Sequence, residues 1–356
     1  MSTAMRVLIA LSGGVDSSVA AALLREQGHD LVGVTFHLWD AAGDDKVGRC
    51  CAPEDRDDAR RTADELDFPH YVIDERGAFR KQVVEPFLDS YLGGSTPAPC
   101  VACNQHVKVN RLVELADRFG CERIATGHYA RIVREERDGA ARVQLWRGVD
   151  RAKDQSYFLY GVPKAALERL HFPLGELTKD QTRAEGVRLG VANAHKPDSQ
   201  ELCFVPDGNI GGFVERERSL VERGEIREPS GRVVGEHQGI YRYTVGQRRG
   251  LNLGGGPARY VLRVVPEDKS VVVGDERELF ATECAARDVS WCSDVPEAPF
   301  EAEVRVRYRH TAARALVTPG AHTFEVRFVE PQRAITPGQA AVVYRGEQVV
   351  GGGIIG

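Results

Sequence analysis

The sequence predicts an α/β protein, with a mostly parallel sheet in the first part of the chain and two smaller β-rich domains after it. Three observations predict this. Apolar runs of strand length alternate with amphipathic helical stretches as far as about residue 130, the pattern of a parallel sheet covered on both faces. A glycine turn, Ser12-Gly13-Gly14-Val15-Asp16-Ser17-Ser18, joins the first apolar run to the first helical one. Such a turn can cradle phosphate with backbone N–H groups and the positive end of a helix. After about Gly208 the strand-like runs shorten, glycines multiply and the spacing becomes regular, as in small barrels and sandwiches.

Taken in order, residues 7–11 are strand-like, and residues 17–27 place Val19, Ala20, Leu23 and Leu24 on one helical face. Residues 31–36 form the next strand, 57–66 a charged amphipathic helix, 70–73 a short strand and 79–91 a helix. Residues 104–119 carry Val107, Leu112 and Leu115 at helical spacing, and 124–127 end another strand. In such a sheet ligands sit beyond the C-terminal strand ends, where Ser12, Thr126 and His128 fall. Residues 40–49 are polar and read as a mobile loop. Pro97 and Pro99 force an irregular path before residue 104. Residues 178–190 read as the last helix of the first domain, with Thr178 as its cap. Beyond it, strands are expected at 231–235, 259–265 and 270–273. A six-stranded barrel or sandwich is expected from 301–308, 313–317, 322–328, 340–344 and 348–352 with their neighbours. The domains are therefore 1–208, 209–282 and 283–356.

The composition fits an ordinary globular chain, with 42% apolar and 28% charged residues among 356. No apolar run approaches the roughly 20 residues of a membrane span, and residues 7–11 meet the glycine turn too soon for a signal peptide. A cytoplasmic location is expected, with no membrane partner. Eight cysteines in so long a chain are not a disulfide scaffold. A net charge of -5 argues against a general nucleic-acid coat, yet allows a local basic surface. Lys108 with Arg111, Arg242 with Arg248 and Arg249, and Arg305 with Arg307 and Arg309 are the basic clusters.

Several residues carry chemistry. The turn lacks the Lys-Ser/Thr ending of a P-loop and the spacing of a dinucleotide fold. Its Asp16 suits either Mg²⁺ or a helix cap. Cys100-Val-Ala-Cys103 has metal, redox or thiol-relay spacing. Cys203 lies between Leu202 and Phe204, where a buried small hydrophobe is the plain alternative. Thr126-Gly127-His128-Tyr129 follows a strand and lets backbone approach a ligand. Lys153-Asp154-Gln155-Ser156-Tyr157-Phe158 reads as a helix cap before core aromatics or as a polar contact site.

The turn at residues 12–18 resembles the loop of the ATP-pyrophosphatase superfamily. The stretches 10–18, 96–108, 125–130, 153–159, 198–206, 243–251 and 330–339 together resemble the tRNA-specific 2-thiouridylase family. That resemblance implies an adenine-nucleotide alpha-hydrolase-like first domain, a tRNA-contacting middle domain and a C-terminal β-barrel. It implies that ATP and Mg²⁺ drive sulfur transfer to C2 of the wobble uridine of tRNA for Lys, Glu and Gln, gripped by the anticodon arm. It makes Cys103 and Cys203 the sulfur-handling pair, one carrying a persulfide and the other resolving it as a disulfide bond. It places ATP on Ala10, Ser12, Gly13, Gly14, Asp16, Ser17, Phe36, Gly127 and His128. The RNA falls to Lys108, Lys153, Asp154, Gln155, Arg248 and Arg309, and a cysteine desulfurase or relay protein supplies the sulfur. Because Cys100 is a cysteine here, a [4Fe–4S] cluster on Cys100, Cys103 and Cys203 is an alternative. Cys50 and Cys51 also match a family feature. The competing readings are another adenylating enzyme of the superfamily and a non-catalytic RNA-binding protein.

Overall fold

The first apolar run becomes the central strand of a sheet. Strand β1 (Arg6–Ala10) lies parallel to β2 (Asp30–His37) on one side and to β4 (Arg123–Thr126) on the other. Strands β3 (His70–Asp74) and β7 (Leu170–His171) complete the order β3-β2-β1-β4-β7, every pairing parallel. A computed structural model describes residues 4–40, 53–137, 140–197, 202–294 and 297–356. Cys50, Cys51, most of the expected 40–49 loop and residues 198–201 of the Cys203 phrase lie outside the described residues.

Two compact units result. One is Met1–Val83, Cys100–Gly208 and Glu347–Val349; the other is Val84–Pro99, Asn209–Gly346 and Val350–Gly356. In the first, helix α1 (Val15–Glu26) follows the glycine turn and α2 (Pro53–Glu65) precedes β3. Next come α3 (Arg76–Phe79) and a π-helical turn, Arg80–Val84. The segment expected as one helix over 79–91 is thus broken, and its last part, α4 (Glu85–Leu92), folds with the second unit. The expected helix over 104–119 is α5 (Pro99–Ala102), a π-helical turn at Cys103–Lys108, and α6 (Val109–Phe119). A hairpin of β5 (Ala130–Arg137) and β6 (Ala140–Arg147) follows β4, then α7 (Lys164–Leu167) before β7. Helix α8 (Lys179–Arg188) begins with the expected cap. Thr178 accepts from the Gln181 amide, and the Gln181 side chain accepts from the Thr178 amide.

The sheet's core is what its apolar alternation foretells. Val7, Ile9, Leu11, Val19, Ala20 and Leu24 are buried together, so one face of α1 is sealed onto β1. Gly186 lets α8 pack against α1, since a Cβ there would stand 3.0 Å from Val19 Cγ2. Each buried aliphatic side chain contributes roughly 1.5–3 kcal/mol.

In the second unit, α9 (Ile210–Arg218) packs with α4 through Phe213 and Phe87, 6.2 Å between ring centroids. Strands β8 (Gly224–Arg227), β9 (Val233–His237), β10 (Tyr260–Val265) and β11 (Ser270–Gly274) form a sheet in the order β10-β11-β8-β9. The barrel strands are β12 (Phe280–Trp291), β13 (Phe300–Arg305), β14 (Ala313–Pro319), β15 (Thr323–Arg333), β16 (Ala340–Arg345) and β17 (Gln348–Ile355). They run β12-β15-β14-β13-β16-β17, and β17 pairs back onto β12, so the sheet closes. Closure removes the exposed edges that six short strands would otherwise present. The strand expected over 301–308 stops at Arg305, so Arg305, Arg307 and Arg309 do not share one strand. Arg305 turns its guanidinium to the Tyr308 carbonyl and ring, while Arg307 donates to Val245 O at 3.3 Å and Thr336 Oγ1 at 2.5 Å. Among the described residues no helix is long and apolar enough to cross a membrane.

Thr178→Ala removes one half of the α8 capping box. It is expected to lower stability by about 1 kcal/mol, read as a shift of the urea midpoint at unchanged slope.

Candidate active site

The glycine turn stands at the C-terminal end of β1, between β2 and β4, as the strand order requires of a ligand site. Helix α1 starts at Val15 with Gly14 as its N-cap, and no side chain caps it. Its first amides therefore keep their hydrogen-bonding capacity, and the helix dipole adds positive potential there. The hydroxyls divide the labour. Ser17 Oγ accepts from the Ser12 amide at 3.1 Å and donates to Gly14 O at 3.0 Å, so it staples the turn. Ser18 is buried and meets Thr62 Oγ1 at 3.0 Å. Ser12 is exposed and is the hydroxyl that can face a ligand.

Glycine is required at two positions. Gly13 has φ +73°, and a Cβ on it would fall 2.0 Å from Asp55 O. A Cβ on Gly127 would lie 2.8 Å from Ser17 N, so this glycine lets the end of β4 approach the start of α1. The bare amides, the exposed Ser12 and the two glycines fit the polyphosphate of ATP. Ala10 and Phe36 are the last residues of their strands' inner stretches, with Phe36 8% exposed.

Asp16 does not cap the helix. Its Oδ1 accepts from Tyr129 Oη at 2.9 Å and from Lys179 Nζ at 2.7 Å. Lys179 also lies 5.9 Å from the Tyr129 ring centroid. A carboxylate here, supplemented by substrate phosphates and water, is a donor set that fits Mg²⁺. The Gly13 carbonyl accepts from Asn193 Nδ2 at 3.0 Å and from Lys196 Nζ at 3.2 Å. Lys196 also bonds Asp55 Oδ1 and Asp58 Oδ2, each at 2.6 Å. Burial works against the Lys196 charge, but the two carboxylates outweigh it and hold its pKa above the ordinary lysine value. Sequence reasoning missed Lys179, Asn193 and Lys196. Only Lys179 had a signal, its place next to the capping Thr178.

His128 accepts or donates a hydrogen bond at 2.7 Å with Thr126 Oγ1 and meets the Phe172 ring edge-on at 5.9 Å. Burial first, and the Lys108 charge second, push its pKa down to about 3. The imidazole is therefore neutral at pH 7 and offers a ligand a hydrogen bond rather than a charge. Lys108 is thus the charge that acts on this imidazole. Arg111, its expected companion, is instead tied to Glu75 and Glu114, each at 2.6 Å.

The polar stretch at 153–158 turns inward. Asp154 is 2% exposed and accepts the amides of Gly148 and Ser156, each at 3.1 Å. Gln155 Oε1 accepts the Tyr129 amide at 3.0 Å, and the Gln155 amide donates to Tyr129 O at 2.9 Å. Gln155 thus holds Tyr129, and through it Asp16, while Asp154 fixes the turn on either side of Gln155. Tyr157 is packed at 1% exposure, and Lys153 lies half-buried in the preceding turn.

Cys103 is buried at the first position of its π-helical turn, and Cys100 is exposed on α5. A π-turn often marks a functional position. Cys203 is half-exposed in a tight turn, where the Val205 amide donates to Leu202 O at 3.0 Å. Phe204 anchors that turn against Phe79 at 5.7 Å and Trp39 at 6.3 Å between ring centroids. The described cysteines carry no disulfide, so the expected disulfide bond is not a feature of this state. The [4Fe–4S] expectation is corrected. Cys100 is turned to solvent while Cys103 is buried, and among the described residues no three His, Cys, Asp or Glu gather as a metal site. In the second unit Arg248 and Arg309 are exposed, whereas Arg242 is held by Glu215 at 2.6 Å.

Three family models match the chain. They are a tRNA methyl transferase HUP domain over residues 5–207, a tRNA methyl transferase PRC-barrel domain over 212–275 and an aminomethyltransferase β-barrel domain over 281–355. The tRNA-specific 2-thiouridylase MnmA of Sorangium cellulosum is 51% identical over 99% of this chain and 93% of its own length. The proteins of the same description from Carboxydothermus hydrogenoformans and Rhodospirillum centenum are 46% and 47% identical. Each match covers 98% of this chain, and 97% and 91% of the relative, respectively.

Lys196→Met leaves the buried Asp55 and the part-buried Asp58 without their shared cation. It is expected to destabilise by about 3 kcal/mol and to slow ATP-dependent AMP release, read by urea unfolding and by chromatography of the nucleotides. His128 should remain a neutral imidazole at pH 5, checked by its ¹⁵N shifts with His128→Gln as the assignment control. Its folded pKa lies below the unfolded value of 6.5. The stability linked to it is thus complete above pH 6.5 and is lost as the pH falls towards 3.

Proposed function

The chain belongs to the tRNA-specific 2-thiouridylase family, and we propose that it carries out the reaction which that name describes. In an ATP-dependent step, sulfur replaces O2 of the wobble uridine of a tRNA. The observation that carries this reading is that one folding unit holds both an open phosphate turn and the thiols Cys103 and Cys203. The family models speak of methyl transfer, but methyl transfer needs neither a polyphosphate cradle nor a thiol pair.

The chemistry follows from the poor leaving ability of a carbonyl oxygen. O2 attacks the α-phosphate of ATP, pyrophosphate departs, and O2 becomes part of an adenylate. A persulfide on Cys203 then attacks C2 through its terminal sulfur, the C2–O2 bond breaks, and AMP leaves. The Cys103 thiolate attacks the Cys203 sulfur, so that the S–S bond to the transferred atom breaks. The products are 2-thiouridine and a Cys103–Cys203 disulfide, which a cellular thiol reductant reopens. In the alternative order Cys103 first releases hydrosulfide, which attacks C2 itself.

The turn amides, Ser12 and Lys179 would hold the phosphates. Ala10, Phe36, Gly127 and neutral His128 would border the nucleotide. Asp16 would hold Mg²⁺, which would offset charge on the pyrophosphate. Lys108, Lys153, Arg248 and Arg309 would meet the RNA, while Gln155 would act behind the surface through Tyr129 and Asp154 would hold the turn that carries Gln155. The preferred RNAs are those for Lys, Glu and Gln, bound through the anticodon arm. The sulfur comes from a cysteine desulfurase or relay protein in the cytoplasm, where thiols stay reduced. We divide the labour among residues 1–208 for catalysis, 209–282 for RNA contact and 283–356 for the barrel.

Purified protein with ATP, Mg²⁺, a persulfide donor and unmodified tRNA-Glu should yield 2-thiouridine by nucleoside mass spectrometry. Cys203→Ser and Cys103→Ser should each lower that yield by about 10²-fold or more while AMP is still formed. Full thiolation by Cys203→Ser would defeat the persulfide role.

A further inference from the structure

We propose that Cys100 is a recycling thiol: it attacks Cys103 in the spent Cys103–Cys203 disulfide and carries the oxidation outward as a Cys100–Cys103 disulfide. This rests on the reading that Cys203 delivers sulfur and Cys103 resolves it. It gives a role to the thiol of that group which sulfur transfer itself does not use. All three cysteines belong to one folding unit. A Cys-x-x-Cys pair in a chain of alternating strands and helices has the spacing of a dithiol redox couple.

The first argument is geometry. Cys100 lies in α5, and Cys103 opens the π-helical turn that follows. Two positions three apart on an ideal helix lie about 5 Å apart at Cα, from its radius and rise. That is inside the range of roughly 4.4–6.8 Å that disulfides span. Their Cβ atoms start roughly 5–6 Å apart and must close to roughly 3.5–4.5 Å. The neighbours show which side gives. Val101 and Val107 are buried on either side of Cys103 in the chain, and Asn104 Nδ2 donates to Phe158 O at 3.3 Å. Cys103 is therefore fixed. Cys100 is exposed in a single helical turn that opens at Pro99, so the adjustment falls on its side.

The second argument is access. The spent disulfide joins Cys103, 7% exposed, to the half-exposed Cys203. An external reductant that attacked Cys203 would occupy, as a mixed disulfide, the sulfur that must take the next persulfide. Attack by the Cys100 thiolate on Cys103 Sγ avoids this. The Cys100–Cys103 bond forms, the Cys103–Cys203 bond breaks, and Cys203 leaves as a thiolate ready to be reloaded. The Cys100 proton goes to solvent, and the exchange moves no net electrons. A dithiol reductant then attacks the exposed Cys100 sulfur, expels Cys103 as its thiolate and closes its own disulfide, which supplies the two electrons. The remaining described cysteines are poorly placed to compete. Cys121 and Cys292 are buried, and burial pushes the Cys284 thiol up to about 12.

The test is disulfide mapping by mass spectrometry after acid quench and alkylation. Persulfide-loaded protein is given ATP, Mg²⁺ and tRNA-Glu without reductant. The wild type should end mainly with Cys100 joined to Cys103 and Cys203 alkylated, and Cys100→Ser with Cys103 joined to Cys203. With thioredoxin as reductant, the ratio of steady-state to first-turnover rate should fall about tenfold in Cys100→Ser. Excess dithiothreitol should restore that ratio, as it would not if Cys100 were merely structural. An unchanged ratio, or wild-type protein that stops at Cys103–Cys203 with Cys100 alkylated, overturns the proposal. If no thiouridine forms, the thiolation reading fails, and a measurement without RNA decides on Cys100. Cys203→Ser protein is equilibrated in dithiothreitol redox buffers. Oxidation of Cys100 and Cys103 together as one two-electron couple supports the proposal, and two cysteines that stay thiols across the series overturn it.

Discussion

The carbonyl of Gly13 is the fixed point on which the site depends. A phosphate-binding turn works only if its amides point outward together, and the opposite end of that geometry is where its carbonyls go. Asn193 and Lys196 both donate to the Gly13 oxygen, from a segment roughly 180 residues away in sequence. Lys196 meanwhile binds the start of α2 through Asp55 and Asp58. One ammonium therefore ties the turn to the helix after β2. Because Gly13 lies against the Asp55 backbone, no side chain could be inserted without parting them. The rigidity is electrostatic and steric at once, and it leaves the first amides of α1 free for a ligand.

A second chain of support runs through Tyr129. Gln155 clasps its backbone in both directions, and its hydroxyl reaches Asp16. Gln155 thus acts on the Asp16 side of the site at one remove. Lys179 reaches the same carboxylate from the first turn of α8, whose start is fixed by the Thr178 capping box. Local helix chemistry at Thr178 is in this way converted into the position of a cation beside the phosphate turn.

The sequence made the sheet and the turn legible because their signals are local. Short continuous apolar runs, glycine at the strand end and a Thr-x-x-Gln cap each declare themselves within a few residues. The barrel was legible for the same reason. What was not legible depends on distant partners. The helix expected over 79–91 breaks at a π-turn, and its last part folds with the second unit, which no periodicity records. The arginine clusters looked alike in sequence, yet Arg111, Arg242 and Arg307 are taken up by Glu75, Glu215 and the Thr336 hydroxyl. Nothing near Asn193 or Lys196 announces that their side chains end on Gly13. The thiols fall between these cases: spacing marked Cys100 and Cys103, but only the structure separates an exposed thiol from a buried one.

That separation bears on how sulfur can move. Three thiols gathered at one point would favour a metal, which takes several soft ligands at once. A buried thiol at a π-turn and a half-exposed thiol in a short, aromatically anchored turn suit sequential chemistry, in which one sulfur is loaded from outside and another acts afterwards. Cys203 has the access that loading by a donor protein demands, while Phe204, held by Phe79 and Trp39, keeps its turn from wandering. Cys103 has the shelter that protects a resolving thiol from oxidants before its turn comes. The division of exposure between the two cysteines accords with the persulfide relay proposed above.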